Sequence, residues 1–410
     1  MLKYKLNHAI YIIFFSIVLG FATAGYLDLV NRLIELMWTS FPETAGLSAK
    51  WLPILLCPLF GIVIGLFNNK LGDYPLTIAE TLAEVKKTNH FAYQNWWKTM
   101  LLGLLALTGG GSIGPEASTT VLLTGMIVWL GDRIKRMDLH QQELATMPFL
   151  SQLKFIWLGR LDKAELAAAR HVYDIYGGKK VAKVLYTLLT AIGFVGYFGY
   201  GKLFPEDNPL GIHHAHYVYH WENLWMVIPA IIVGIIVGKL FIQAGKLAGR
   251  VSERLTNRIV KAIIMGIILA ICGVITRDAL FSGEFRIESL AKTAFNMSPW
   301  VLLGIALIKA FTTNFGFYFG WRGGTIFPAI ICSFAIAAIL AQYLPGNAAI
   351  VAAVVVASSL TAILGRPVLT AIVMLLLWPI ELAIPILLVC WCTQKILQGS
   401  SYLMTKATQR

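Results

Sequence analysis

Charge is scarce in this chain. Only 13% of its 410 residues are Asp, Glu, Lys or Arg, against about 25% in an ordinary soluble domain. So few charges cannot cover the surface of a water-soluble protein of this length. Acidic residues are the scarcer kind, 21 against 34 basic ones, which leaves a net charge of +13. That excess does not point to nucleic acid. The Lys and Arg sit mostly in the connections between apolar runs, the positive-inside pattern of membrane proteins. Cysteine is also sparse. Cys57, Cys272, Cys390 and Cys392 lie in or beside apolar runs, and Cys390 and Cys392 do not make a CxxC pair. This excludes a disulfide framework and a thiolate metal site. No metal or other cofactor is expected. There is no HExxH. Gly110 to Gly114 fits GxSxG by letter, but it follows an apolar run, not the strand that motif needs. GGGS lacks the Lys-Ser/Thr ending of a phosphate loop. An enzyme is therefore not expected. The apolar run from Ala9 has no small-residue cleavage site, so a cleavable leader is not expected either.

What the chain has is hydrophobic length. Apolar residues make up 57% of it, and mean hydropathy is +0.70. Runs of the ~20 residues that a spanning helix needs recur from end to end. The expected class is an all-α polytopic membrane protein. Spans are predicted over Ile10 to Ile34, Trp51 to Phe67, Val184 to Phe204, Trp225 to Ala244 and Val260 to Ile275. Thr77 to Lys87 reads as a short amphipathic helix, and Trp96 and Trp97 as interfacial aromatics. The expected organisation is one membrane domain over 1–410. It divides into a first repeat core (1–131), a polar cytoplasmic segment (132–183), connecting helices (184–259) and a second repeat (260–410). The basic start, Met1 to Lys5, places the N-terminus in the cytoplasm. His213, His214, His216 and His220 lie in an aromatic loop with no cysteine or carboxylate frame, and read as solvated.

The informative stretch is Thr108 to Thr120, TGGGSIGPEASTT. Gly109, Gly110, Gly111 and Gly114 interrupt a helix between two apolar runs. Pro115 suits the start of a new helix. Glu116 falls in its first turn, beside the positive end of the helix dipole. Free backbone amides at membrane depth survive only where protein buries them or where they line a polar cavity. An ionisable residue there is functional by default. The residues imply an anion-handling site.

The pattern occurs twice. Gly72-Asp73-Tyr74, Trp97 and GGGSIGPEAS in the first half correspond to Gly283-Glu284-Phe285, Trp300 and GWRGGTIFPAI in the second. Interrupted apolar segments at matching places in two halves point to a transporter site near the bilayer midplane. Two helix starts facing one cavity would bind an anion weakly enough to let it leave. A glutamate there is a tethered anion, so protonating it would free the site.

At these residues the chain resembles the CLC family of chloride channels and chloride/proton exchangers. Lys309 to Pro328 resembles that family's approach to its G-x-F-x-P anion motif, with Ile326 at the usual Phe. Gly114-Pro115-Glu116-Ala117-Ser118 resembles its GREGP motif. Val354 to Ile386 resembles its closing helices. The resemblance implies two repeated, inverted halves. It gives Glu116 the gating role. It implies anion-binding by Gly114, Pro115, Ala117 and Ser118, and by Gly324, Thr325, Ile326 and Phe327. The family's GSGIP motif falls at Leu71 to Pro75. There Gly72 replaces the ion-facing serine and Asp73 adds a negative charge, leaving Ser112 or Tyr74 for the hydroxyl. Tyr402 is the candidate for the pore tyrosine. The internal proton-transfer glutamate, expected between Asp132 and Lys183, cannot be assigned.

The implied partners are chloride or another small anion, with protons in an exchanger, membrane lipid, and a second copy of the chain in a homodimer. The expected location is a bacterial-type plasma membrane. A fluoride transporter and a non-transporting scaffold or inactive member remain the alternatives.

Overall fold

The structure is a computed structural model. It describes residues 2–88, 90–158, 165, 169, 171–205, 225–284, 286–344 and 347–408, with side chains from 7 to 399. The predicted histidine loop lies outside the described residues. The described residues contain helices and no strand; the one isolated β-bridge joins Gly114 to Gly324. Eight of the described helices are long and apolar enough to cross a membrane. The chain is an integral membrane protein.

The contacts divide the chain into two compact units. One comprises Met1–Arg32, Leu76–Met100 and Ser118–Asp207; the other comprises Leu33–Pro75, Leu101–Ala117 and Asn208–Arg410.

The first unit contains most of α1 (Leu2–Glu35), then α3 (Ile78–Thr88), the body of α5 (Glu116–Leu139), α6 (Gln141–Thr146), α7 (Phe149–Leu158) and α8 (Lys179–Leu203). Phe15, Leu130, Ile134, Met137, Leu144, Ile156 and Leu189 share one buried cluster. Helices α1 and α8 cross at glycines. A Cβ on Gly20 would strike the Gly193 carbonyl, and one on Gly196 the Ile17 carbonyl. Small residues of this kind let helix backbones approach where water supplies no driving force. Near this crossing Tyr200 donates to Asp28 at 2.6 Å, and Arg32 pairs with the same carboxylate at 2.8 Å.

The stretch after Leu130 differs from a uniformly solvated face. Helix α5 runs on to Leu139, and both Asp132 and Arg133 are 5% exposed. Each is buried because it finds partners. Asp132 receives His90 at 3.1 Å and Tyr93 at 3.3 Å. Arg133 donates to the Ile156 carbonyl at 3.1 Å and lies over the Trp129 ring at 4.7 Å. A local run of charge says nothing about such distant partners.

The second unit contains α2 (Leu52–Leu71), α4 (Trp96–Thr108) from Leu101 on, α9 (Val227–Glu253), α10 (Arg258–Ile275), α11 (Arg286–Thr293), α12 (Pro299–Tyr318), α13 (Ile326–Tyr343), α14 (Ala348–Leu364), α15 (Pro367–Leu377) and α16 (Ala383–Thr408). Helices α2 and α10 hold corresponding places in the two repeats, each ahead of a short helix and a broken pair. They pack antiparallel. Gly266 lies against the Cys57 carbonyl, Gly61 against Ala262 and Gly65 against Ile259. Corresponding helices that run in opposite directions make the two halves inverted repeats.

A leucine at position 196 should therefore force α1 and α8 apart, at a cost of about 1–3 kcal/mol or more for overpacking. Position 199 has nothing within 4 Å of a Cβ, so Gly199→Leu is the control. Thermal unfolding in detergent should show a lower midpoint for Gly196→Leu and no change for Gly199→Leu.

Candidate functional site

The two breaks are built alike. Helix α4 ends at Thr108 and α12 at Tyr318. The next turn needs a left-handed residue, and glycine supplies it in both halves: Gly110 has φ of 89° and Gly320 of 96°. This allows a Schellman cap. Gly111 N–H reaches the Ala106 carbonyl, and Trp321 N–H reaches the Gly316 carbonyl, both at 2.9 Å. In each half the carbonyl of the final helical residue is taken by a distant side chain. Trp38 Nε1 donates to Thr108 O at 2.7 Å, and Ser252 Oγ donates to Tyr318 O at 2.8 Å. Asn68 donates to the Gly320 carbonyl at 2.8 Å.

The breaks then meet. Gly114 N–H donates to Gly324 O at 2.8 Å, and Gly324 N–H donates to Gly114 O at 2.7 Å. This reciprocal pair satisfies four backbone groups that hydrocarbon could not. Helix α5 restarts at Glu116, one residue after Pro115, and α13 restarts at Ile326 with Thr325 at its N-cap.

The side chain of Glu116 extends beyond its own helix. Its carboxylate reaches the start of the other one, where Oε1 accepts from Phe327 N–H at 2.8 Å. The amides of Ile326 and of Glu116 itself also face the carboxylate. Helix α13 thus presents first-turn donors and a dipole end worth about half a positive charge. The carboxylate fits because Gly114 and Gly324 have no side chain; a Cβ on either would overlap it. A carboxyl group thus sits on helix-start amides, beside a glycine pair that leaves it room.

Of the residues singled out in the sequence, Gly114, Glu116, Gly324, Ile326 and Phe327 come together here. Pro115, Ala117 and Ser118 are buried, while Thr325 is part-exposed. Ser112 is buried too, but its hydroxyl is engaged with Thr313 and Thr312 of α12, both at 3.0 Å. Gly72 closes α2 with φ of 95° and donates to Asn68 O at 3.0 Å. Its neighbour Asp73 pairs with Arg258 at 3.2 Å, which offsets the added negative charge. Tyr74 follows in the same turn. Tyr402 falls in α16, but its side chain lies outside the described residues. Arg322 lies over the Phe317 ring at 4.7 Å. Lys309 is fully buried and donates to two backbone carbonyls, Leu280 O at 3.0 Å and Phe281 O.

The sequence did not point to Trp38, Asn68, Ser252, Thr312 or Thr313. Each acts across a long stretch of chain, and no local pattern marks it.

The profile of the voltage gated chloride channel family matches residues 176–398. The chain belongs to this family. The matched residues include the second break and leave out Glu116, so the CLC assignment and the geometry around Glu116 are separate observations. Among solved structures, the chain is similar to a CLC-type fluoride/proton antiporter, with a TM-score of 0.67 and 18% identity over 95% of each chain. It is also similar to a slow cyanobacterial Cl−/H+ antiporter, with a TM-score of 0.62 and 16% identity over 98% of each chain. At these identities the likeness is one of fold. No curated protein matches the sequence.

A methyl at position 324 should expel the carboxylate. In Gly324→Ala, Phe327 N–H loses its acceptor and should exchange with deuterium roughly 3- to 10-fold faster, as expected for one lost hydrogen bond. Mass spectrometry of the peptide spanning Phe327 measures this. Unchanged exchange would contradict the placement.

Proposed function

We propose that this CLC family member moves a small anion across the membrane, and that Glu116 gates the path by occupying an anion-binding place itself. The observation that carries this is the Glu116 carboxylate lying on Phe327 N–H between Gly114 and Gly324. A carboxylate oxygen and a halide ask the same things of a site: donors, partial positive charge and no full opposite charge. Helix-start amides supply these and hold the ion weakly enough to release it. While Glu116 is ionised it competes with the anion. On protonation it loses its charge and its hold on the dipole end, and the place becomes free. Acid therefore opens the path.

Gly114, Pro115, Ala117 and Ser118 form the first-half lining of this path, and Gly324, Thr325, Ile326 and Phe327 the second. Gly72, Tyr74, Ser112 and Tyr402 are candidates for its remaining polar contacts. Chloride is the expected substrate, in keeping with the family. Fluoride is the second reading, favoured by the fluoride/proton antiporter among the structures of like fold and by glycine at position 72 in place of the family's serine. The path is either a channel or an exchange with protons. The working form is a homodimer in a bacterial-type plasma membrane with the N-terminus in the cytoplasm, as the resemblance and the positive-inside pattern support.

The test is efflux from liposomes containing the purified protein, loaded with chloride or with fluoride, at neutral and acidic pH. Wild type should pass one anion, faster in acid. Glu116→Gln removes the ionisable group, so its flux should be the same at both pH values. An imposed proton gradient that drives anion uptake identifies exchange; no response identifies a channel. No flux of either anion would overturn the reading in favour of a non-transporting member.

A further inference from the structure

The gate loop depends on a residue from far outside it. After α1 the helix widens into a π-helical turn, Leu36–Ser40, before a short α-helical turn at Phe41–Thr44. Single π turns inside a helix redirect a side chain and often mark functional positions. Here the redirected side chain is Trp38, which is 3% exposed.

Its indole meets the loop at two places. Nε1 donates to the Thr108 carbonyl at 2.7 Å. That carbonyl closes no bond within α4. The cap uses Leu105, Ala106 and Leu107 as acceptors for Gly109, Gly111 and Gly110, and the chain has by then turned away. Without Trp38 it would be a buried acceptor with no donor. The ring itself fills the space beside Gly110, where a Cβ would lie 2.7 Å from Trp38 Cζ2.

The indole is itself held from behind. The Phe281 ring meets it edge-on, with centroids 5.1 Å apart at 80°. Phe281 is the one non-glycine residue with positive φ, 56°, among the described residues. It is kept there by backbone bonds. Buried Lys309 takes the Leu280 and Phe281 carbonyls, and Phe281 N–H reaches Gly110 O at 3.4 Å. Lys309, Phe281 and Trp38 thus form one brace whose end is the backbone of Thr108 and Gly110. From Gly110 the loop has three residues left before Gly114 pairs with Gly324 and Glu116 crosses to Phe327.

We infer that Trp38 is the positioning residue of the gate: its indole N–H, by holding Thr108 O, fixes the loop that lays the Glu116 carboxylate on α13. The hydrogen bond of Trp38 goes to the loop backbone and not to the carboxylate. It sets how firmly Glu116 competes, and so how strongly flux depends on pH. This rests on the gating reading of Glu116.

The test replaces Trp38 with phenylalanine, and separately with β-(3-benzothienyl)alanine. The second keeps both rings and puts sulfur where the N–H was, so it removes the hydrogen bond and little else. The readout is the ratio of anion flux in acid to flux at neutral pH, in liposomes. A looser loop lets Glu116 leave its place while still ionised. The ratio should fall roughly 3- to 10-fold, the effect of one hydrogen bond on an equilibrium. On a Glu116→Gln background the same replacements should leave the pH profile as it is. A benzothienyl variant with the wild-type ratio would overturn the inference, even where Trp38→Phe fails to fold. A pH-independent wild type, or Glu116→Gln retaining the wild-type profile, would overturn the gating reading and this inference with it.

Discussion

Two helices stop inside the membrane-spanning part of this protein, and a stopped helix leaves amides and carbonyls without partners. In a region without water each such group costs several kcal/mol. The reciprocal bonding of Gly114 and Gly324 answers that constraint. It joins the two breaks to each other, so each half supplies the partners that the other lacks. The same arrangement brings the start of α13 within reach of a carboxylate on the first residue of α5. The rest of the second unit follows from keeping this pair in place. Antiparallel α2 and α10 pack through Gly61, Gly65 and Gly266. Trp38, Ser252 and Asn68 take the carbonyls that the helix caps leave over.

Full charges are kept off the helix-start amides by pairing them elsewhere. Lys309 spends its charge on the carbonyls of Leu280 and Phe281. Asp73 faces Arg258, and Arg322 lies over Phe317. What meets Glu116 is the partial charge of amides and a dipole. A lysine at that point would hold an anion, and the carboxylate, too tightly for either to exchange. On the proposed function, amides hold both weakly, and protonation then decides which one stays.

Much of this was legible in the sequence because the residue types are forced. A left-handed turn calls for glycine at 110 and 320. A carboxylate between two strands of backbone calls for glycine at 114 and 324. The repeat of these demands exposed the two halves, and Glu116 stood out as an ionisable residue among membrane-depth glycines. The inversion of the halves was implied only by the family resemblance and not by any residue pattern, since it rests on the direction of α2 against α10. The braces were not readable either: an indole reaching Thr108 from the first helix has no local signature. The partners of the Ser112 hydroxyl, Thr312 and Thr313, were not readable either, since nothing marks these two residues in an apolar helix. Nor was the burial of charge after Leu130 readable, because burial of Asp132 and Arg133 depends on His90, Tyr93, Trp129 and Ile156. Apart from Trp129, these lie at least 20 residues away in sequence.

In the proposed mechanism an anion and the Glu116 carboxylate share one place on α13. The direct measurement is anomalous diffraction from crystals soaked in bromide, with wild type compared to Glu116→Ala at neutral pH. A bromide peak is expected within hydrogen-bond distance of Phe327 N in the variant, and none there in wild type. Bromide at that amide in both proteins, or in neither, would contradict it.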